Sequence, residues 1–136
     1  MKKSLIKTIG ALAVAAISTI NAFAATYYWD NNGTTAGFGT AGGTWAAPTT
    51  GSSSQGWSTD STGATLPGSV TTATTDTINF GITAVGLASG TVAVSGTVSA
   101  GNITFASGSG AIALSGGHTY LGCRRDDYAQ QRLGFN

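Results

Sequence analysis

The sequence predicts an all-β chain, the start of a β-solenoid in preference to a β-sandwich-like arrangement. Three observations predict it. Short apolar runs alternate with small polar residues at period two, as in Thr91-Val92-Ala93-Val94-Ser95 and Asn102-Ile103-Thr104-Phe105. Glycine and serine punctuate those runs at intervals of about 8 to 14 residues. The connecting stretches are uniformly small and uncharged. An open sandwich also fits the strand spacing; the small, uncharged loops favour the solenoid.

The chain opens on a leader. Lys2, Lys3 and Lys7 form a basic start, and Ile9 to Ile20 is an uncharged, mostly apolar run of 12 residues. Asn21-Ala22-Phe23-Ala24 then places small residues where a signal peptidase reads. This is the three-part pattern of a secretory signal peptide, residues 1–24, with cleavage expected after Ala24. As a helix the run would rise about 18 Å, short of the roughly 30 Å hydrocarbon core, so it is read as a signal and not as an anchor. The expected location of the mature chain is therefore beyond the inner membrane: periplasm, cell surface or outside the cell.

The mature part, Ala25 to Asn136, has 112 residues, enough for one small domain. Its charge is unevenly placed. Between Ala25 and Gly122 there is no Lys, Arg or Glu, and only Asp30, Asp60 and Asp76 are charged. Ala, Gly, Ser and Thr fill 65 of those 98 positions. A body without a basic residue cannot neutralise phosphates, so nucleic acid is excluded as its natural partner. It has no basic stripe for anionic lipid either. Cys123 is the sole cysteine, so no internal disulfide can form. Leu121-Gly122-Cys123 has the outline of a lipidation box, but it follows no apolar run and is not read as one.

Three zones follow the leader. Residues 25–68 hold all three tryptophans, Trp29, Trp45 and Trp57, in a Gly/Thr/Ser/Ala background with Pro48 and Pro67. Short strands or turns pinned by aromatics are expected, because lone aromatics supply most of the apolar burial such a stretch can offer. Residues 69–122 carry the runs Ile78-Asn79-Phe80, Val92-Ala93-Val94, Ile103-Thr104-Phe105, Ile112-Ala113-Leu114 and Tyr120-Leu121. Gly81, Gly86, Gly90, Gly96, Gly101, Gly108, Gly110, Gly116 and Gly117 fall between them, where turns are expected. No run buries a face alone, but stacked rungs would bury a continuous apolar row. Residues 123–136 (CRRDDYAQQRLGFN) break the pattern with five charged residues in 14. This is read either as a solvated, disordered tail or as a frame change.

Three stretches together resemble autotransporter passenger proteins with autotransporter-associated β-strand repeats. They are the opening Thr26-Tyr27-Tyr28-Trp29-Asp30, the run Gly37 to Trp45 followed by Trp57, and Val92 to Phe105 continuing to Leu114-Ser115-Gly116-Gly117. The last is the most specific, and the resemblance spans roughly Thr26 to Gly122. It implies a right-handed parallel β-helix, exported and displayed at or released from the cell surface, with a role in display or adhesion and no transferable catalytic residue. Members of the family run for many more rungs and end in an outer-membrane barrel. No stretch of the present sequence shows the alternating ten-residue strands of such a barrel.

Few residues invite chemistry. Asp30-Asn31-Asn32-Gly33 lacks the spaced ligands and distal Glu of a calcium loop and reads as an Asx-type turn. Nothing in the spacing of Asp30, Asp60 and Asp76 pairs two carboxylates for glycoside hydrolysis. His118, the sole histidine, is expected exposed at the edge of the last rung, and with Cys123 it makes too few ligands for a metal. No catalytic residue, metal or cofactor is therefore expected. The one candidate binding set is aromatic: Tyr28, Trp29, Trp45 and Trp57 as a stacking platform for a glycan, against the competing reading that they pack the core. Uncapped β rungs of low charge also leave an open edge, so the mature part is expected to fold poorly alone or to self-associate.

Overall fold

Period-two alternation in Val-, Ile- and Thr-rich sequence puts successive side chains on opposite faces, and here each such stretch becomes a strand. The computed structural model describes residues 23–49, 56–65 and 67–122. The expectations for most of the leader and for the tail at 123–136, Cys123 included, lie outside these residues. The strands are β1 (Thr26–Asp30), β2 (Thr44–Trp45), β3 (Gly56–Ser58), β4 (Thr77–Phe80), β5 (Gly90–Ala100), β6 (Asn102–Phe105) and β7 (Ile112–Leu121). The described residues contain no helix. The protein is all-β.

Two sheets form, one ordered β3-β1-β4-β6 and the other β2-β5-β7. Neither closes on itself. Within the first, only β1 and β3 run antiparallel; β1, β4 and β6 are parallel neighbours. The second is parallel throughout. Apart from β3, which returns to the first sheet just before β4, the chain visits the sheets alternately: β1 then β2, β4 then β5, β6 then β7. Register is kept from one pass to the next. Tyr27 lies beside Ile78, which lies beside Ile103, and Trp45 lies beside Val94, which lies beside Gly116.

Between β4 and β6 this register stacks like on like, Ile78 on Ile103 and Phe80 on Phe105. Ile78, Phe80, Leu87, Val92, Val98 and Ala100 of the middle pass are fully or almost fully buried. Fully burying one such aliphatic or aromatic side chain is worth about 1.5–3 kcal/mol. Phe80 and Phe105, register partners, stack with centroids 5.1 Å apart and planes 11° from parallel. The last pass is covered on one side only, and Phe105 is 50% exposed. Polar side chains tie the passes together at their corners. Asn79 Nδ2 donates to the Tyr27 carbonyl at 3.2 Å. Ser109 Oγ donates to the Phe80 carbonyl and accepts from Leu87 N.

Three of the glycines predicted between strands, Gly96, Gly116 and Gly117, lie inside them, and Gly90 opens β5. The expected runs Ile112-Ala113-Leu114 and Tyr120-Leu121 form one strand, β7, and Val92 to Val98 runs on likewise within β5. The ladder shifts register between Val94 and Thr97, so β5 carries an extra residue there. Gly96 and Gly116 take φ of 67° and 90°, a region that favours glycine. Gly96 lies in the bulge of β5 and Gly116 beside it in β7, and the pairing continues past both. The glycines that sequence reading assigned to turns are, at these two places, bends in continuous strands.

Candidate functional site

The aromatic set is built by β1, β2 and β3. Trp29 and Trp57 are direct register partners across the antiparallel β1–β3 pair, and Trp45 enters from β2 in the other sheet. Trp57 sits at the centre. Its ring meets Trp29 at 4.8 Å and Trp45 at 5.4 Å, both edge-on, and Phe80 at 6.2 Å. Edge-to-face contacts of this kind stabilise beyond the area they bury.

Each indole N–H is satisfied inside the protein. Trp29 Nε1 donates to the Gly42 carbonyl at 3.0 Å. Trp45 Nε1 donates to Thr72 Oγ1 and Trp57 Nε1 to Thr49 Oγ1, both at 3.2 Å. Thr49 is itself buried, and its hydroxyl donates to the Ala46 carbonyl beside the cis Ala47–Pro48 peptide. Trp29 and Trp45 are 0% exposed and Trp57 2%. Tyr28, on the opposite face of β1, is half-buried and stacks on Phe38 at 5.7 Å. Of the four proposed stacking residues, the three indoles thus converge in the core, and Tyr28 lies on the far side of the strand. Phe38, Thr49 and Thr72 hold this arrangement. In a sequence so rich in threonine, nothing marks Thr49 or Thr72 as different from their neighbours.

The three aspartates among the described residues each accept from at least one backbone amide. Asp30 Oδ1 accepts from Asn32 N at 3.0 Å, closing the expected Asx turn. Asp30 is 0% exposed, and neither its Oδ2 nor Asn32 Oδ1 has a hydrogen-bond partner in the protein. Burial pushes the Asp30 carboxyl above its ordinary range, the hydrogen bond from Asn32 opposes that, and Asp60's charge adds to the rise. Asp60 lies in an exposed turn, where Thr62 N, Thr62 Oγ1 and Ala64 N all donate to it. These bonds hold its carboxyl below the usual range.

Asp76 is a junction. Its carboxylate accepts from Ala25 N at 3.0 Å and from Ala73 N at 2.7 Å. Its carbonyl accepts from Gly101 N and Asn102 N. One residue therefore ties together the start of β1, the entry to β4 and the entry to β6. His118 is exposed on β7, paired with Thr97.

Among the described residues no three His, Cys, Asp or Glu side chains group as a metal site. No helix there is long and apolar enough to cross a membrane.

The chain matches no family model, no curated protein and no solved structure.

With its carboxylates bound to amides and its indoles bound to one another, the arrangement is one of packing and chain closure.

Proposed function

We propose that the chain is an exported, surface-displayed structural or adhesin-like passenger fragment without catalytic activity. Its described part is read as three rungs at the start of a right-handed parallel β-solenoid. The observation that carries the reading is that β1, β4 and β6 in one sheet and β2, β5 and β7 in the other pair in parallel as the chain passes β1–β2, β4–β5, β6–β7, with one register shift between Val94 and Thr97. Each pass adds one strand to each sheet and one layer to a shared core, which is how a solenoid grows. Parallel crossovers take the right hand almost without exception. The Ala/Gly/Ser/Thr-rich composition supports the same reading, because small side chains let successive passes approach closely.

The engagement of Asp30, Asp60 and Asp76 with backbone amides supports a structural role over an enzymatic one. The alternative is a small secreted carbohydrate-binding module that uses Tyr28, Trp29, Trp45 and Trp57. The burial of all three indoles favours the structural reading. The leader pattern of residues 1–24 supports export.

Expression of the whole chain in a Gram-negative host, followed by fractionation and intact-mass measurement, tests the reading. The expected product lies beyond the inner membrane and begins at Ala25. A product retained in the cytoplasm with residues 1–24 attached would contradict it.

A further inference from the structure

Among the described residues, hydrogen bonding in the fold begins at Ala25. Its N–H donates to Asp76 Oδ1 at 3.0 Å, and its carbonyl accepts from Thr77 N at 2.8 Å. Phe23 and Ala24, just before it, are exposed, Phe23 by 90%. Among the described residues, the first one held by the fold is thus the residue that follows the expected cleavage point. Asp76 is 4% exposed, and the segment Ala25 to Gly122 has no lysine or arginine that could neutralise it.

We propose that signal-peptide cleavage creates a counter-charge beside Asp76, and that the new Ala25 ammonium forms a partly buried ion pair with it that locks β1 to β4. The inference rests on the export reading above. Hydrolysis of the Ala24–Ala25 bond consumes one water and leaves a carboxylate on Ala24 and an ammonium on Ala25. The ammonium nitrogen is the atom already 3.0 Å from Asp76 Oδ1, so a neutral amide donor becomes a charged one in place. A charge-assisted hydrogen bond is roughly twice as strong as a neutral one. The two residues just before the cut, Phe23 and Ala24, are exposed. Asp76 also receives Ala73 N and, through its carbonyl, Gly101 N and Asn102 N. The pair therefore sits where all three passes of the first sheet begin. The other titratable group that senses Asp76 is Tyr27, whose phenol is pushed up first by burial and then by the Asp76 charge.

The test compares Ala25–Asn136 bearing a free amine with the same chain acetylated on that nitrogen, each with Asp76 and with Asp76→Asn. Unfolding is followed by tryptophan emission at matched concentration. The free-amine chain is expected to melt roughly 4–8 °C above the acetylated one, and Asp76→Asn is expected to abolish the gap. Equal melting of the two forms, a gap that survives Asp76→Asn, or no cooperative transition in the free-amine chain would overturn the proposal.

Should Asp76→Asn fail to fold, amine labelling decides. The mature chain has no lysine, so an amine-reactive ester reports on the Ala25 nitrogen alone. Labelling at neutral pH is expected to be about tenfold slower in the folded chain than in urea, since an adjacent carboxylate favours the unreactive ammonium. Equal rates would overturn the pair. The mass of the secreted product separates the two readings. A product retained with residues 1–24 attached sinks both, and a secreted product cut elsewhere sinks the ion pair alone. An N-terminus at Ala25 with equal melting sinks the ion pair alone.

Discussion

At the scale of the residue, Asp30 makes the clearest prediction. It is buried with one oxygen unpartnered, and burial raises its carboxyl. The fold then holds that proton more tightly than the unfolded chain does. The associated stability is fully present below the unfolded value, about 3.9, and is lost as pH rises through the folded value. Asp30→Asn keeps an acceptor for Asn32 N and replaces the unpartnered oxygen with an amide. We expect this variant to melt at least as high as the native chain at pH 7 and to lose that part of the pH dependence. A clear fall in Tm at pH 7 would contradict the account. Asp60 has the opposite sign: its contribution is present above the unfolded value and is lost as pH falls through the folded one.

Trp57 is the other decisive residue, because it touches Trp29, Trp45 and Phe80. Trp57→Ala should cost about 3–5 kcal/mol in denaturant unfolding. A loss below about 1 kcal/mol would mean that the indoles do not form the core. The same burial predicts no quenching of native tryptophan emission by an oligosaccharide series. Quenching by any of them would revive the glycan reading.

At the scale of the element, close approach decides. A Cβ at Gly86 would run into the Gly108 backbone of the next pass. Gly86→Ala is therefore expected to destabilise by about 1–3 kcal/mol, read as a shift in the denaturant midpoint. No shift would show that these corners are looser than described. Much of this level was legible in the sequence. The runs around Ile78, Val92, Ile103 and Ile112 all lie in strands, because period-two alternation has a direct structural consequence. The merging of two runs into β7 was not legible. A glycine that bends a strand and a glycine that ends one look alike until the neighbouring strand continues the pairing. The aromatic site was legible as a set of residues, but not in its arrangement. That depends on Thr49, Thr72 and Phe38, and hydroxyl partners far along the chain leave no local signal. Asp76 was equally opaque, since its partners Ala25 and Gly101 lie in different passes.

At the scale of the whole molecule, β6 and β7 are edge strands of their sheets among the described residues, and neither contains a charged residue that would discourage further pairing. The mature chain is expected to self-associate with rising concentration, a second copy pairing on this edge. Lysines at the exposed positions Thr104 and Ala113 should shift the sedimentation profile toward monomer. An unchanged profile would place the contact elsewhere.

The central claim is that successive passes of the chain stack in parallel and in register. Cross-strand nuclear Overhauser contacts in the mature chain test it most directly. The account predicts amide-to-Hα contacts linking the Ile78 and Ile103 neighbourhoods and the Val92 and Leu114 neighbourhoods, without strong Hα–Hα contacts between those strands. Strong Hα–Hα contacts there would show an antiparallel arrangement and contradict the stacked reading.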